Sequence, residues 1–396
     1  MLTPTGSSPE AESRLTFGVE LEFLLATVPR GGENPHPSDP REVDPRILAD
    51  EDSINYDIER KMEEVSIPAT VKESECGNSG EVAAATATNW ILKTDVTVGP
   101  GAQSPSTRKY YQYGMEITSP PYYYDAATRR AVETVVRALR NNYLVRVNES
   151  TGLHVHVGNG YHGFEWPILR NFMAIAWTYE RQIVLMIPEA RLDNIYCKSL
   201  YEESSLGRSN PGLTRLEFLN RILSLTDNLQ VVKELGRKCA GFNIRNLNPP
   251  FRSNSGKRTI EFRHHPGTLD PESILHWLHI CVKLVEKACL IKNEEKLLEQ
   301  LQADVEKPIG FEDKNSVTTV DYLMWLGCPS QAYYYGKQLI SDKVQVEKRI
   351  RDAAEEEARS LTTQPAGLPR NIQVVLNDAL GIKPKMGDGD DVSESS

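Results

Sequence analysis

The chain has 396 residues, 39% hydrophobic and 25% charged, with a net charge of −10, a balance that describes a globular protein with a large core and excludes a wholly disordered chain. It carries no apolar run long enough to span a bilayer, and its acidic balance disfavours broad contact with a phosphate backbone, so neither a membrane nor a nucleic acid is expected as a partner. The N-terminus has no basic start and no apolar stretch, and the six cysteines form no C-x-x-C pair, which points to free thiols in a cytoplasmic protein.

Residues 1–13 are polar and are predicted to be disordered. From Leu15 to Leu25 the chain alternates: Leu15, Phe17, Val19, Leu21 and Phe23 share one face of a strand, and Thr16, Gly18, Glu20 and Glu22 share the other. A Pro/Gly/Asp-rich loop follows over 29–45, then a helix within 45–64 and a polar loop over 73–80. Trp90 to Val98 and Tyr111 to Thr118 read as strands, the second closed by Ser119-Pro120-Pro121. Asp125 caps a helix through Asn142 whose stripe is Val132, Val135, Val136 and Leu139. Gly152 to Gly158 is again a strand, and Pro167 opens a long apolar helix running to Ile187. One amphipathic helix is predicted over 213–235. A strand over 240–247 pairs with one over 258–264, and Asp270-Pro271 starts a helix to about Lys292. Beyond Lys307 helices are predicted at 318–326 and 331–360, before an acidic tail. The organisation expected is a catalytic domain over 14–310, a helical part over 311–360 and a disordered tail over 361–396.

The second face of these strands carries chemistry. Glu20 and Glu22 point the same way, about 6.6 Å apart along the chain. Exposed, they would be an ordinary polar face, but their apolar flanks make this a central strand, and buried paired carboxylates require a cation. His154 and His156 repeat the spacing between Leu153, Val155 and Val157: either satisfied core imidazoles, or ligands or phosphate contacts. Glu261 and Arg263 share a face opposite Ile260 and Phe262: either a same-strand ion pair, or a metal-binding carboxylate beside a guanidinium that grips a phosphoryl group. Asp95 sits in mid-strand where Asp is disfavoured, and Glu116 lies opposite the buried Met115 and Ile117. Glu20, Glu22, Asp95, Glu116, His154 and Glu261 on one sheet face suit hard cations, Mg²⁺ or Mn²⁺, and through them nucleotide phosphates. No P-loop and no Rossmann glycine pattern occurs.

The segments Gly18-Val19-Glu20-Leu21-Glu22-Phe23, Glu116-Ile117-Thr118-Ser119-Pro120-Pro121, Thr151-Gly152-Leu153-His154-Val155-His156-Val157-Gly158 and Thr259-Ile260-Glu261-Phe262-Arg263-His264, with Gly267-Thr268-Leu269-Asp270 and Trp277 beyond them, resemble the amidoligase family common in fungi. That family belongs with glutamine synthetase and glutamate–cysteine ligase among the carboxylate–amine ligases. The resemblance runs from about Leu15 to about Tyr335, with its four motifs in the expected order. It implies an α+β fold, a curved, largely antiparallel sheet backed by helices, with ATP held through metal ions on the concave face. A carboxylate would attack the γ-phosphate to give an acyl phosphate, which an amine would displace. By position, Glu20, Glu22, Asp95, Glu116, His154 and Glu261 resemble the metal ligands, and Arg263 the arginine that stabilises the phosphoryl group. His156 would contact substrate or phosphate, and Arg245 and Asn246 would border the nucleotide. The acid and the amine are not specified; amino acids or peptides fit the superfamily.

Three other readings stay open. A phosphotransferase on the same fold would need the same metal set. A zinc or iron enzyme on His154-x-His156 would need further ligands at familiar offsets, which are not found. A non-catalytic binding protein would leave the acids uncompensated. His264, His265, His276 and His279, and the run Tyr122-Tyr123-Tyr124, read as packing.

Overall fold

The computed structural model describes residues 15–72, 86–160, 162–247, 257–310, 313–344 and 348. The chain divides into two compact units, Met1–Ala332 and Tyr333–Ser396. In the second, described residues 333–344 are helical. The predicted disordered N-terminus, the 73–80 loop, the chain between the paired strands at 248–256 and the acidic tail lie outside the described residues.

The first unit is α+β, built on one open, mixed, mostly antiparallel sheet. Its strands are β1 (Thr16–Thr27), β2 (Ala69–Val71), β3 (Trp90–Thr94), β4 (Tyr111–Thr118), β5 (Tyr122–Tyr123), β6 (Val145–Arg146), β7 (Leu153–Gly158), β8 (Phe242–Asn243) and β9 (Thr259–Phe262). Their spatial order is β2-β3-β4-β1-β7-β9-β8, with β5 and β6 pairing on β1; β2 and β3 pair in parallel, and the other strand pairs named here are antiparallel. The alternation predicted for the first strand holds. Phe17, Val19, Leu21, Phe23 and Leu25 are at most 1% exposed, each burial worth about 1.5–3 kcal/mol. The long helices are α1 (Glu51–Glu64), α2 (Ala126–Asn142), α3 (Trp166–Thr178), α4 (Arg215–Leu223), α5 (Asn228–Leu235), α6 (Pro271–Cys289), α7 (Glu294–Asp304) and α8 (Thr319–Leu326). α6 packs on β7, α2 and α3. Phe172 of α3 meets Phe242 and Phe262 edge-on, ring centres 5.9 and 5.8 Å away. Asp125 caps α2 in a reciprocal box with Thr128, and Asp270 caps α6 ahead of Pro271, both as predicted.

Four predicted elements differ. The strand expected over Trp90–Val98 stops at Thr94, because Asp95 turns the chain: its Oδ1 accepts the Thr97 N–H at 2.8 Å. The long apolar helix breaks after Thr178, where the Arg215 guanidinium takes up the Trp177 carbonyl at 2.6 Å and the Thr178 carbonyl at 3.3 Å, ending the ladder. The predicted 213–235 helix is two, since Asp227 caps a fresh start by accepting the Gln230 N–H. Strand 240–247 shrinks to β8, because Asn243 Oδ1 accepts the Arg245 N–H at 3.1 Å and leads into a 3₁₀ turn, Arg245–Leu247. α7, capped by Asn293, was not anticipated.

Candidate active site

Directly opposed residues on neighbouring antiparallel strands point to the same face. The register sets Glu20 opposite both His154 and Thr118, Glu22 opposite Glu116, His156 opposite Glu261, Lys93 opposite Glu116, and Asn243 opposite Glu261. Chemistry spread over more than 240 positions of sequence is thereby gathered on one face, away from the Phe17–Leu25 side of β1.

Two clusters result, one on each flank of β1. In the first, a ligand atom from each of Glu20, His154 and Glu261 lies within 4.8 Å of the other two. His154 Nδ1 is 3.3 Å from Glu20 Oε2 and 3.9 Å from Glu261 Oε1. His156 Nε2 lies 3.0 Å from Glu20 Oε1, and its Nδ1 lies 2.9 Å from Thr259 Oγ1. Arg263 Nη1 donates to Glu261 Oε1 at 2.5 Å and its Nε to the Tyr196 carbonyl at 3.3 Å, while Asn243 Nδ2 donates to Glu261 Oε2 at 2.6 Å.

The second cluster is Glu22, Asp95 and Glu116, again with ligand atoms within 4.8 Å of one another. Gly152 N–H donates to Glu22 Oε2 at 2.7 Å. A Cβ at position 152 would overlap the Arg191 guanidinium and the His154 ring, so glycine is what lets the backbone approach this closely. Thr118 Oγ1 donates to Glu116 Oε1 at 2.9 Å, and Lys93 Nζ lies 2.9 Å from Glu116 Oε2.

The electrostatics of the two clusters differ. Burial works against the Glu20 charge, but His156 and Lys257, with help from His154, outweigh it and hold the carboxyl well below its usual range. Glu261 is likewise buried, and His156 and Arg263 bring its pKa down. In the second cluster burial wins: Glu22 is pushed up by desolvation and by Asp95 despite His154, and Glu116 by desolvation and by Glu20 despite Lys93. Five carboxylates and one imidazole, crowded on one sheet face, are a donor set that hard divalent cations take, and the residues fit Mg²⁺ or Mn²⁺.

Of the sequence-derived site residues, Glu20, Glu22, Glu116, His154, His156, Glu261 and Arg263 converge here. Asp95 converges too, but from the turn after β3 and not from mid-strand. Arg245 and Asn246 are not on a strand; they lie in the turn after β8, and the residue this segment sends to Glu261 is Asn243. Sequence reasoning missed Asn243, Lys93, Lys257 and Arg191. Lys93 had a signal, since it precedes Asp95 by two positions. Arg191, buried in a short helix (Glu189–Leu192), ties the Thr151 and Arg263 carbonyls at 3.4 and 3.1 Å, and its charge faces Glu22. Tyr122 and Tyr124 pack as expected: Tyr122 Oη accepts from Trp90 Nε1 at 2.9 Å, and Tyr124 Oη lies 2.6 Å from His279 Nδ1.

Residues 13–285 match the model of a family described as "putative amidoligase enzyme". No curated protein matches the chain. Among the described residues no helix is long and apolar enough to cross a membrane.

Proposed function

The chain belongs to the amidoligase family, and from that premise we propose that it is an ATP-dependent carboxylate–amine ligase that uses Mg²⁺ or Mn²⁺ and forms an amide through an acyl phosphate, on a fold akin to that of glutamine synthetase. The observation that carries this reading is the pair of cation-ready clusters flanking β1, with a guanidinium beside one of them. Glu20, His154 and Glu261 would hold one cation, and Glu22, Asp95 and Glu116 a second. Cations held there supply positive charge against the nucleotide phosphates.

Arg263 is fixed by Glu261 and by the Tyr196 carbonyl, so its remaining N–H groups are pre-aimed at a phosphoryl group rather than searching for it. An oxygen of the acid substrate attacks the γ-phosphorus and ADP leaves. The amine then attacks the acyl carbon, inorganic phosphate leaves, and the nitrogen gives up a proton. His156, whose Nε2 lies 3.0 Å from Glu20 Oε1 inside the first cluster, is proposed as a contact to the acid or to phosphate. Arg245 and Asn246, just past Asn243, are proposed as outer contacts to the nucleotide. The substrates are a small carboxylate and a small amine, amino acids or peptides among them. The free cysteines at 197, 239, 281, 289 and 328 support a reducing, cytoplasmic setting.

The test is phosphate release from ATP with Mg²⁺ and pools of amino acids and amines, read by mass spectrometry for condensed products. An amide that disappears in Glu20→Ala supports the ligase. A stable phosphorylated product without amide would turn the reading to a phosphotransferase, and failure to bind ATP with Mg²⁺ would end it.

A further inference from the structure

Each acid cluster carries one lysine. Lys257 Nζ lies 2.8 Å from Glu20 Oε1, and Lys93 Nζ lies 2.9 Å from Glu116 Oε2. The carboxylates beneath are 14% and 5% exposed, whereas the lysine side chains are 40% and 38% exposed. The ammonium groups therefore come in from the solvent side, on long flexible stems, onto oxygens that belong to cation-holding sets. Burial disfavours both ammoniums, yet the acids raise them: Lys257 through Glu20, then Glu261 and Glu116, and Lys93 through Glu116, then Glu20 and Asp95. Both lysines thus feel both clusters and stand over one common floor. An ammonium and a divalent cation drawn to the same carboxylate repel each other at such short range. A displaced ammonium moves outward, to the side from which an anion arrives.

We propose that Lys93 and Lys257 are the oxyanion-binding lysines of this site, parked on Glu116 and Glu20 until a divalent cation displaces them and then turned onto the phosphate or carboxylate oxygens of the incoming substrate. This rests on the clusters being cation sites. It makes cation and oxyanion binding mutually reinforcing, and that coupling is reciprocal. It also assigns the two lysines opposite effects on two ligands, which a merely structural role would not have.

The test measures Mn²⁺ binding to the full chain by electron paramagnetic resonance, for the wild type, Lys93→Met and Lys257→Met. A non-hydrolysable ATP analogue or succinate is then titrated in the presence of Mn²⁺. Each variant is expected to bind Mn²⁺ alone about two- to fivefold more tightly, the strength of a half-exposed ion pair, and to bind an oxyanion about tenfold more weakly. Weakening of the ATP analogue alone assigns the lysines to phosphate, and weakening of succinate alone assigns them to the acid substrate. Lys257→Arg, which keeps the charge, is expected to restore oxyanion binding to within about threefold. Mn²⁺ affinity unchanged or lowered in both variants, or oxyanion affinity unchanged, overturns the proposal. A wild-type chain that binds no Mn²⁺ overturns the cation reading beneath it, a result distinct from either.

Discussion

The two clusters beside β1 are built from similar acids, whose pKa values are pushed in opposite directions. Glu20 and Glu261 are surrounded by His154, His156, Lys257 and Arg263, and stay ionised although buried. At Glu22 and Glu116 burial is the larger influence and a neighbouring acid adds to it, so both are pushed up although His154, Arg191 and the Gly152 N–H relieve Glu22 and Lys93 relieves Glu116. Desolvation is common to both; the neighbours decide the sign. The first cluster favours the charged form of its carboxyls before any cation arrives, whereas the second holds its charge less readily.

The largest effect expected from breaking this arrangement is catalytic. Glu261→Ala should lower ATP-dependent product formation by about 10²–10³-fold, the usual cost of removing a preorganised electrostatic group, because it removes a cation-holding oxygen and the anchor of Arg263 together. Steady-state phosphate release with an unchanged circular dichroism spectrum checks this; retained turnover would remove Glu261 from the machinery.

Next comes another buried acid, Glu180, which lies outside both clusters. Its Oε1 accepts the Leu200 N–H at 2.8 Å, and burial, only partly opposed by that bond and by Arg215, lifts its pKa to about 7. Between the unfolded value near 4.5 and about 7 the folded chain then holds more protons than the unfolded one. The stability this gives is complete below the lower value and is lost as pH rises through the upper one, about 3 kcal/mol in all. Glu180→Gln keeps the acceptor and removes the charge, so urea midpoints should lose that slope and the variant should exceed the wild type above neutral pH. An undiminished slope would place the titration elsewhere.

Smaller again, Asn243→Ala takes from Glu261 the donor at 2.6 Å and should weaken Mn²⁺ binding about tenfold, as loss of a ligand-orienting partner does. Calorimetry decides, and an unchanged constant would make Asn243 packing alone. The smallest effect is on the comparison itself. The raised carboxyls of Glu22 and Glu116 take up protons first as pH falls, while Glu20 and Glu261 remain charged. As pH is lowered, the phase of Mn²⁺ binding that rests on Glu22 and Glu116 should therefore weaken more than the phase that rests on Glu20 and Glu261. Equal weakening of both phases would erase the distinction between the clusters.

Period-two alternation made the reactive face readable: Glu20 with Glu22, His154 with His156 and Glu261 with Arg263 are each two residues apart on strands whose other side is apolar, and a strand can place them only one way. The long helices were legible from caps such as Asp125 and Asp270. What escaped was decided across the chain. Nothing near Lys257 tells that its ammonium meets Glu20, far away in sequence on β1. Asn243 looks like an ordinary strand residue until β8 is set against β9. Asp95 was placed in a strand because a local pattern cannot show that its own carboxylate would hold a turn. The helix break at Tyr179 depends on Arg215, far along the sequence, and the local apolar run gives no hint of it.

Both clusters lean on the same strand. A pairing error of one position in β1 would invert it, driving Glu20 and Glu22 among the helices and turning Leu21 and Phe23 outward. No partly shifted arrangement keeps one cluster and loses the other, so misregistered chains would be discarded as misfolded rather than tolerated as sluggish enzymes. The evolutionary corollary runs the other way. Single replacements on the reactive face leave the apolar side untouched, so a relative of this chain can fall silent in one codon change while its scaffold persists.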